Sequence, residues 1–365
     1  MKRILYPVDA PFLPRSIGGK ARQLRFLVRN RFPVPPAMVL LWEAHAGYLA
    51  DPDAALSRVR SELAPQIRED RAYAVRSSAS VEDSQRFSFA GLFRTCLDVR
   101  GPDAVLEAVR LVWDSADSPE IRLYRDISGS GPVRMAVLVQ EMVPARWSGV
   151  AFSRNPMTGL SETILEAVPG TSDPDGVIRV SPLRWVRKWG LWTERPDDGF
   201  PESLASEVAD GTATIARRFG APVDVEWAWD GRKLFFLQVR PITRLDIPIF
   251  SNRISREMLP GIIKPLVWSV NTRLNNGAWV RILRDMTGER SLRPEDLTER
   301  FYGRAYFNMS AFGRVFERLG MPREVLELML GLEQEGPDRP NFMPGPGILL
   351  RLPRMCLFAG RMAFL

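Results

Sequence analysis

Two short runs near residue 230 carry the sharpest chemical signal in the sequence. Asp224-Val225-Glu226-Trp227 and Leu237-Gln238-Val239-Arg240 alternate apolar with polar residues, and Asp230-Gly231 lies between them. Alternation of period two marks strands, and an intervening Asp-Gly marks a hairpin. Alternate residues of a strand share a face, so Asp224 and Glu226 project together. Placing Val225 and Trp227 in the core with Phe235 and Leu237 leaves Asp224 and Glu226 beside Gln238 and Arg240. A two-residue Asp230-Gly231 turn gives the wrong parity. A three-residue turn with Gly231 left-handed in a bulge gives the right one. A carboxylate beside an amide oxygen can hold a hard cation such as Mg²⁺, which needs few protein oxygens when phosphate and water supply the rest. The alternative is a surface hairpin with solvated charges.

Three further stretches could handle phosphate or a base. Gly18-Gly19-Lys20 precedes a helical stripe of Leu24, Leu27 and Val28. Glycines let the backbone approach a phosphate, a helix N-terminus favours anions, and Lys20 adds a point charge. Arg76-Ser77-Ser78 leaves a short strand, Tyr73 to Val75, and opens a loop containing Glu82, Asp83 and Ser88 to Gly91. A guanidinium can clamp phosphate with two bonds, or satisfy nearby carboxylates instead. Gln140-Glu141-Met142-Val143 ends an apolar strand; such an end can offer backbone groups to an adenine edge and Met to its face, or be plain core. His45, the one histidine, has no suitable partner nearby and is read as structural.

These residues need a frame. A strand is expected over Met38 to Trp42, polar helix over 51 to 70, strand over Phe93 to Val99, and one helix over 102 to 125 with Val105, Ala108, Val109, Val112 and Trp113 inward. A buried strand, Met135 to Val143, follows the loop Ser128 to Pro132. Gly149 to Thr158 and Thr163 to Val168 read as paired strands, Gly170 to Gly176 as a loop, Val177 to Trp192 as more sheet, and 202 to 219 as helix. Irregular alternation of strands and helices argues α+β with mixed sheets. From Phe250 the chain is richer in Leu, Met and Arg and reads as mostly helical. The apolar, basic end, Leu349 to Leu365, is expected to be cut off or covered.

Composition narrows the classes. The apolar fraction of 45% and charged fraction of 25% suit a globular chain. Net charge is +7, with five Lys and the rest Arg; the Arg are scattered, which argues against nucleic acid and suits an anionic substrate. Two distant cysteines, Cys96 and Cys356, make neither a disulfide framework nor a metal set and point to small buried residues in a reducing compartment. No signal peptide or membrane span is visible, so a cytoplasmic protein is expected.

Taken together, the motifs resemble the nucleotide-binding domain of the phosphoenolpyruvate synthase, pyruvate phosphate dikinase and rifampicin phosphotransferase family. The similarity runs through Gly18-Gly19-Lys20, Pro33-Val34-Pro35-Pro36, Val75 to Ala79 with Glu82-Asp83, Ser88 to Gly91, Ser148 to Phe152, Asn155-Pro156, Thr158-Gly159, Asp224 to Trp227 and Leu237 to Thr243. The resemblance implies an ATP-grasp-like, two-lobed domain over 1–245 and a mostly helical linker or substrate-domain start over 250–365. It implies that Lys20 and Arg76 hold ATP phosphates, that Glu226 and Gln238 ligate Mg²⁺, and that Asp224 and Arg240 share that site. Residues 140 to 143 would line the adenine pocket, and Lys20, Arg76 and Arg240 would stabilise charge during transfer. The chain departs from the family at Pro169-Gly170-Thr171-Ser172-Asp173, where a Gly-Leu-Gly-Glu run is usual, and at Ser84-Gln85, where Leu-Pro is usual. It also lacks the phosphohistidine motif. The implied function is ATP- and Mg²⁺-dependent phosphoryl transfer of the phosphoenolpyruvate synthase type, the histidine coming from a further domain or a separate chain. The alternatives are a rifampicin-type antibiotic phosphotransferase and a non-catalytic ATP-binding regulatory module.

Overall fold

A computed structural model describes residues 3–80, 93–128, 133–170, 181–196, 199–243, 248–288, 290–329, 336–343 and 345. Glu82-Asp83, Ser84-Gln85, Ser88 to Gly91, residues 129–132, 171–176, Cys356 and the stretch from Leu349 lie outside the described residues. The chain divides into two compact units. The first comprises Met1–Ser153, Thr163–Trp185 and Glu194–Thr243; the second comprises Arg154–Glu162, Val186–Thr193 and Arg244–Leu365.

The first half of the first unit runs β1 (Leu5–Pro7), α1 (Gly18–Arg29), β2 (Ala37–Leu40), α2 (Trp42–Ala50), α3 (Pro52–Leu63), β3 (Ala72–Ala79), β4 (Thr95–Arg100), α4 (Pro102–Asp114), α5 (Pro119–Ser128) and β5 (Met135–Glu141). Its strands form one sheet in the order β1-β2-β5-β3-β4, with antiparallel pairing throughout. β5 is central and buried from Met135 to Gln140, as a strand covered on both faces should be. α4 buries Val105, Ala108, Val109, Val112 and Trp113, the expected stripe, against this sheet. The helix expected over 102 to 125 is two helices. A tight turn over Ser115–Asp117 separates α4 from α5, and the break falls at Pro119, which has no amide to continue a helix. β2 stops at Leu40, and Trp42 already opens α2. Cys96 is only half-buried.

A second sheet follows, in the order β11-β10-β6-β7-β8-β9, with β6 (Trp147–Phe152), β7 (Thr163–Pro169), β8 (Leu183–Lys188), β9 (Leu191–Glu194), β10 (Val223–Trp229) and β11 (Leu234–Pro241). α6 (Glu202–Phe219) lies between β9 and β10 in sequence, buries Leu204, Ala205, Val208, Ala209 and Ile215, and ends on left-handed Gly220. The first sheet, strands β6, β7, β10 and β11 of the second, and their helices make this unit α+β, as the irregular strand and helix order suggests.

The second unit is helical with a small sheet that periodicity did not reveal. β12 (Phe250–Ser251), β13 (Thr298–Phe301) and β14 (Arg304–Asn308) pair in the order β12-β14-β13. Val280, Leu292, Leu297, Ala311, Val315 and Leu319 form its core. Lys188 is buried there between Glu327 and, at 3.3 Å, Glu162. Among the described residues, no helix is long and apolar enough to cross a membrane.

His45 sits in α2, 4% exposed, with its ring 5.9 Å from that of Trp113. Burial holds the imidazole down at about 4, against a smaller upward pull from Asp114. An unfolded histidine titrates near 6.5, so below that pH the unfolded chain takes a proton that the native chain refuses. The contribution of neutral His45 is intact above about pH 6.5 and is lost as pH falls, reaching about 3 kcal/mol by about pH 4. Urea unfolding should therefore show a smaller acid-induced loss of stability in His45→Phe than in the parent. Equal losses would mean that His45 is not held neutral.

Candidate functional site

β10 and β11 form the hairpin read from the sequence. Asp224 lies opposite Arg240 and Glu226 opposite Gln238, so all four project from one face. The turn differs from expectation. It has four residues, Asp230 to Lys233, closed by Asp230 Oδ1 accepting from the amides of Arg232 and Lys233, both at 2.7 Å. Parity is restored within the strand, where the register steps between Glu226 and Trp227 and leaves Leu237 as an extra residue. The core side is accordingly filled by Leu234, Phe236 and Val239, not by Phe235 and Leu237, which are half-buried.

Arg76 is not at a loop entrance. β3 continues to Ala79, placing Arg76 in mid-strand, because each following residue has a structural bond. Ser77 Oγ accepts from Lys20 Nζ at 3.0 Å. Ser78 Oγ donates to Ile17 O at 2.8 Å and accepts from the Ala21 amide at 3.1 Å, tying β3 to the start of α1. Gly18 makes this approach possible. Its φ is +72°, and a Cβ there would stand 1.8 Å from Ser78 O.

Lys20, Arg76, Asp224, Glu226 and Arg240 thus come together. Arg76 Nη2 lies 2.9 Å from Glu226 Oε2; Arg240 Nη2 lies 3.4 Å from Glu226 Oε1, and its Nε 3.1 Å from Asp224 Oδ1. Burial pushes the Glu226 carboxyl up, but Arg76, Arg240 and Lys20 together hold it below the usual range, so it is ionised. Burial raises Asp224, opposed by Arg240 and assisted by Glu226. Gln238 is 3% exposed, and its Oε1 is buried without a hydrogen-bond partner. A neutral oxygen left unpaired beside an ionised carboxylate is a donor set that a hard cation fits. Among the described residues no group of three His, Cys, Asp or Glu could hold a metal, so any ion here must complete its shell from phosphate and water.

Next to this cluster is a cavity of about 270 Å³, walled by Ala74 and Arg76 of β3, residues 140 to 143, and Glu226. Gln140 is 3% exposed and its Nε2 has no partner. The amides of Glu141 and Met142 are engaged, donating to Pro36 O at 2.9 Å and Ala72 O at 2.8 Å. Thr95 and Leu97 of β4, Gly149 and Val150 of β6, and Leu237 are also part of the wall. Sequence reasoning missed these five as cavity residues; alternation in β4 was the available signal.

Residues 45–195 and 193–252 match the family model described as "Pyruvate phosphate dikinase, AMP/ATP-binding domain". A probable phosphoenolpyruvate synthase of Archaeoglobus fulgidus is 33% identical over 202 residues, 47% of this chain and 27% of its own length. The prodigiosin synthesizing transferase PigC of Serratia marcescens is 30% identical over 297 residues, 66% of this chain and 33% of its own. The chain thus spans between about a quarter and somewhat under half of the length of the curated relatives it matches. Among solved structures, the L-amino acid ligase of Bacillus licheniformis is similar at a TM-score of 0.36 and 11% identity, over 64% of this chain and 45% of that one.

Gly18→Ala should destabilise the chain by about 2–4 kcal/mol, since strain and a backbone clash coincide. Gly220→Ala, with φ +78° and nothing within 4 Å of the new Cβ, should cost only about 1 kcal/mol. Equal losses in urea unfolding would show that α1 and β3 do not need their close contact.

Proposed function

The chain belongs to the pyruvate phosphate dikinase AMP/ATP-binding domain family, and from that premise we propose that it supplies the ATP-binding part of a phosphoryl-transfer enzyme of the phosphoenolpyruvate synthase type. Residues 1–245 are the ATP-binding domain in this reading, and 250–365 begin the segment that follows. The observation that carries it is the convergence of Lys20, Arg76 and Arg240 on Glu226, opposite the unpartnered oxygen of Gln238.

The base enters the cavity walled by residues 140 to 143, and the phosphates extend toward Lys20 and Arg76. Lys20 offers a point charge from the first turn of α1. Arg76 and Arg240 present planar donors suited to phosphate oxygens. These groups are fixed before substrate arrives, by Ser77 and by the carboxylates, and so need little rearrangement as charge develops on the transferring group. Mg²⁺ held by Glu226 and Gln238 would neutralise phosphate charge and align the leaving group. Asp224 keeps Arg240 aimed at the site. His45 is 4% exposed and packed against Trp113, so its ring is shut off from a phosphoryl donor. That supports an acceptor histidine from a further domain or another chain.

Gln238→Leu tests the metal assignment. Removing an unpaired buried oxygen should leave stability unchanged or slightly raised, while calorimetric affinity for Mg²⁺-ATP falls about tenfold or more. Parent-like affinity would remove Gln238 from the site. Turnover separates the enzymatic readings. ATP–AMP exchange that appears when a separately expressed histidine domain of a phosphoenolpyruvate synthase is added supports the proposal. ATP consumption that depends on rifampicin favours the antibiotic enzyme, and binding without turnover under any condition favours a regulatory module.

A further inference from the structure

β4 carries an irregularity where it lines the cavity. Tyr73 pairs with Val99 and Val75 with Cys96, so Leu97 and Asp98 together oppose the single residue Ala74. This is a bulge. Asp98 adopts φ +50°, a left-handed conformation uncommon outside glycine but most accessible to Asp and Asn. The result is a change of face. Cys96 and Val99, three apart, both pack on the core of the first sheet, whereas Thr95 and Leu97 line the cavity.

The bulge also redirects one amide. In an unbroken ladder the Asp98 N–H would point at a strand neighbour or at solvent. Here it donates to Met142 Sδ at 3.0 Å. Met142 follows β5, its own amide is fixed on Ala72 O, and its side chain lines the same cavity as Leu97. A methionine has three rotatable side-chain bonds and ordinarily adapts to whatever it meets. Anchoring the sulfur removes much of that freedom. The Asp98 side chain takes no part in the cavity; it is exposed and pairs with Arg100 at 3.0 Å.

We infer that Asp98 is a positioning residue for the base end of the cavity: its left-handed backbone aims the amide at the Met142 sulfur and sets Met142 and Leu97 as apolar walls for a planar ring. The inference rests on the nucleotide reading of this cavity. It assigns the bulge to recognition of the base and not to the phosphates, which are held by the cluster around Glu226.

Calorimetry on the full chain with two probes tests it, Mg²⁺-ATP and inorganic tripolyphosphate with Mg²⁺. Asp98→Val opposes the left-handed conformation, and Met142→Leu removes the sulfur acceptor at nearly constant volume. Each should weaken ATP binding about five- to twentyfold and leave tripolyphosphate affinity within about twofold of the parent. Asp98→Gly keeps both the conformation and the amide and should retain ATP affinity. If the parent binds ATP but Met142→Leu and Asp98→Val bind it equally well, Asp98 positions nothing. If both probes weaken in parallel, the bulge serves the fold and not the base. A parent that binds neither probe would instead overturn the nucleotide reading itself. Met142→Leu carries the test alone should Asp98→Val fail to fold.

Discussion

The Arg76–Glu226 ion pair is the interaction on which the site depends. Arg76 belongs to β3 of the first sheet and Glu226 to β10 of the second, so this 2.9 Å contact joins the two walls of the cavity. The side chains are only 17% and 24% exposed, so screening is weaker than at a surface pair, and removing either partner would strand a charge. Both carboxylate oxygens already meet guanidinium groups. In the proposed reading ATP brings the charges that permit an exchange. Phosphate oxygens would take over Arg76 and Arg240, and Glu226 would then be free to hold a cation. Before ATP arrives Lys20, Arg76 and Arg240 face two carboxylates, Asp224 and Glu226, and the surplus of cations suits a polyanion.

Several buried polar atoms without partners lie at this site. Buried polar atoms without partners are uncommon in folded proteins and call for a reason. In the first unit, Arg76 Nε, Gln140 Nε2 and Trp227 Nε1 belong to residues of the cavity wall and Gln238 Oε1 stands opposite Glu226, while Arg25 Nη1 and Trp113 Nε1 lie away from it. Of the four at the site, three are donors and one is an acceptor. Donors suit the acceptor-rich edges of a nucleotide, and a lone amide oxygen suits a cation. A core built for stability alone would have replaced such groups with apolar ones of similar shape.

Much of this was legible in the sequence because the relevant signals are periodic. The alternation around Asp224 and Gln238 identified the face that Asp224, Glu226, Gln238 and Arg240 share, and the stripe from Val105 to Trp113 identified the buried side of α4. What escaped was whatever depends on contacts distant in sequence. Arg76-Ser77-Ser78 has loop-like composition, yet it is strand, because Lys20 and the start of α1 occupy the two hydroxyls. Pro119 should have been read as a break in a helix that looked continuous. The sheet of the second unit pairs Phe250-Ser251 with Phe307-Asn308, more than fifty residues on, and two residues carry no period.

Bulges explain the remaining misreading and show how the site is reconciled with the core. In a regular strand Phe236 and Gln238 would share a face, and one of them would be misplaced. The extra residue at Leu237 lets Phe236 pack 5.8 Å from the Phe32 ring while Gln238 faces Glu226. In β4 the extra residue lets Cys96 and Val99 both pack inward while Leu97 lines the cavity. Each sheet therefore has one bulge at the cavity, and each contributes a leucine to its wall. A strict period of two cannot serve a closed core and a binding surface along one strand when the two demands differ in parity. One inserted residue resolves the conflict locally, and its position along the strand is set by where the cavity begins.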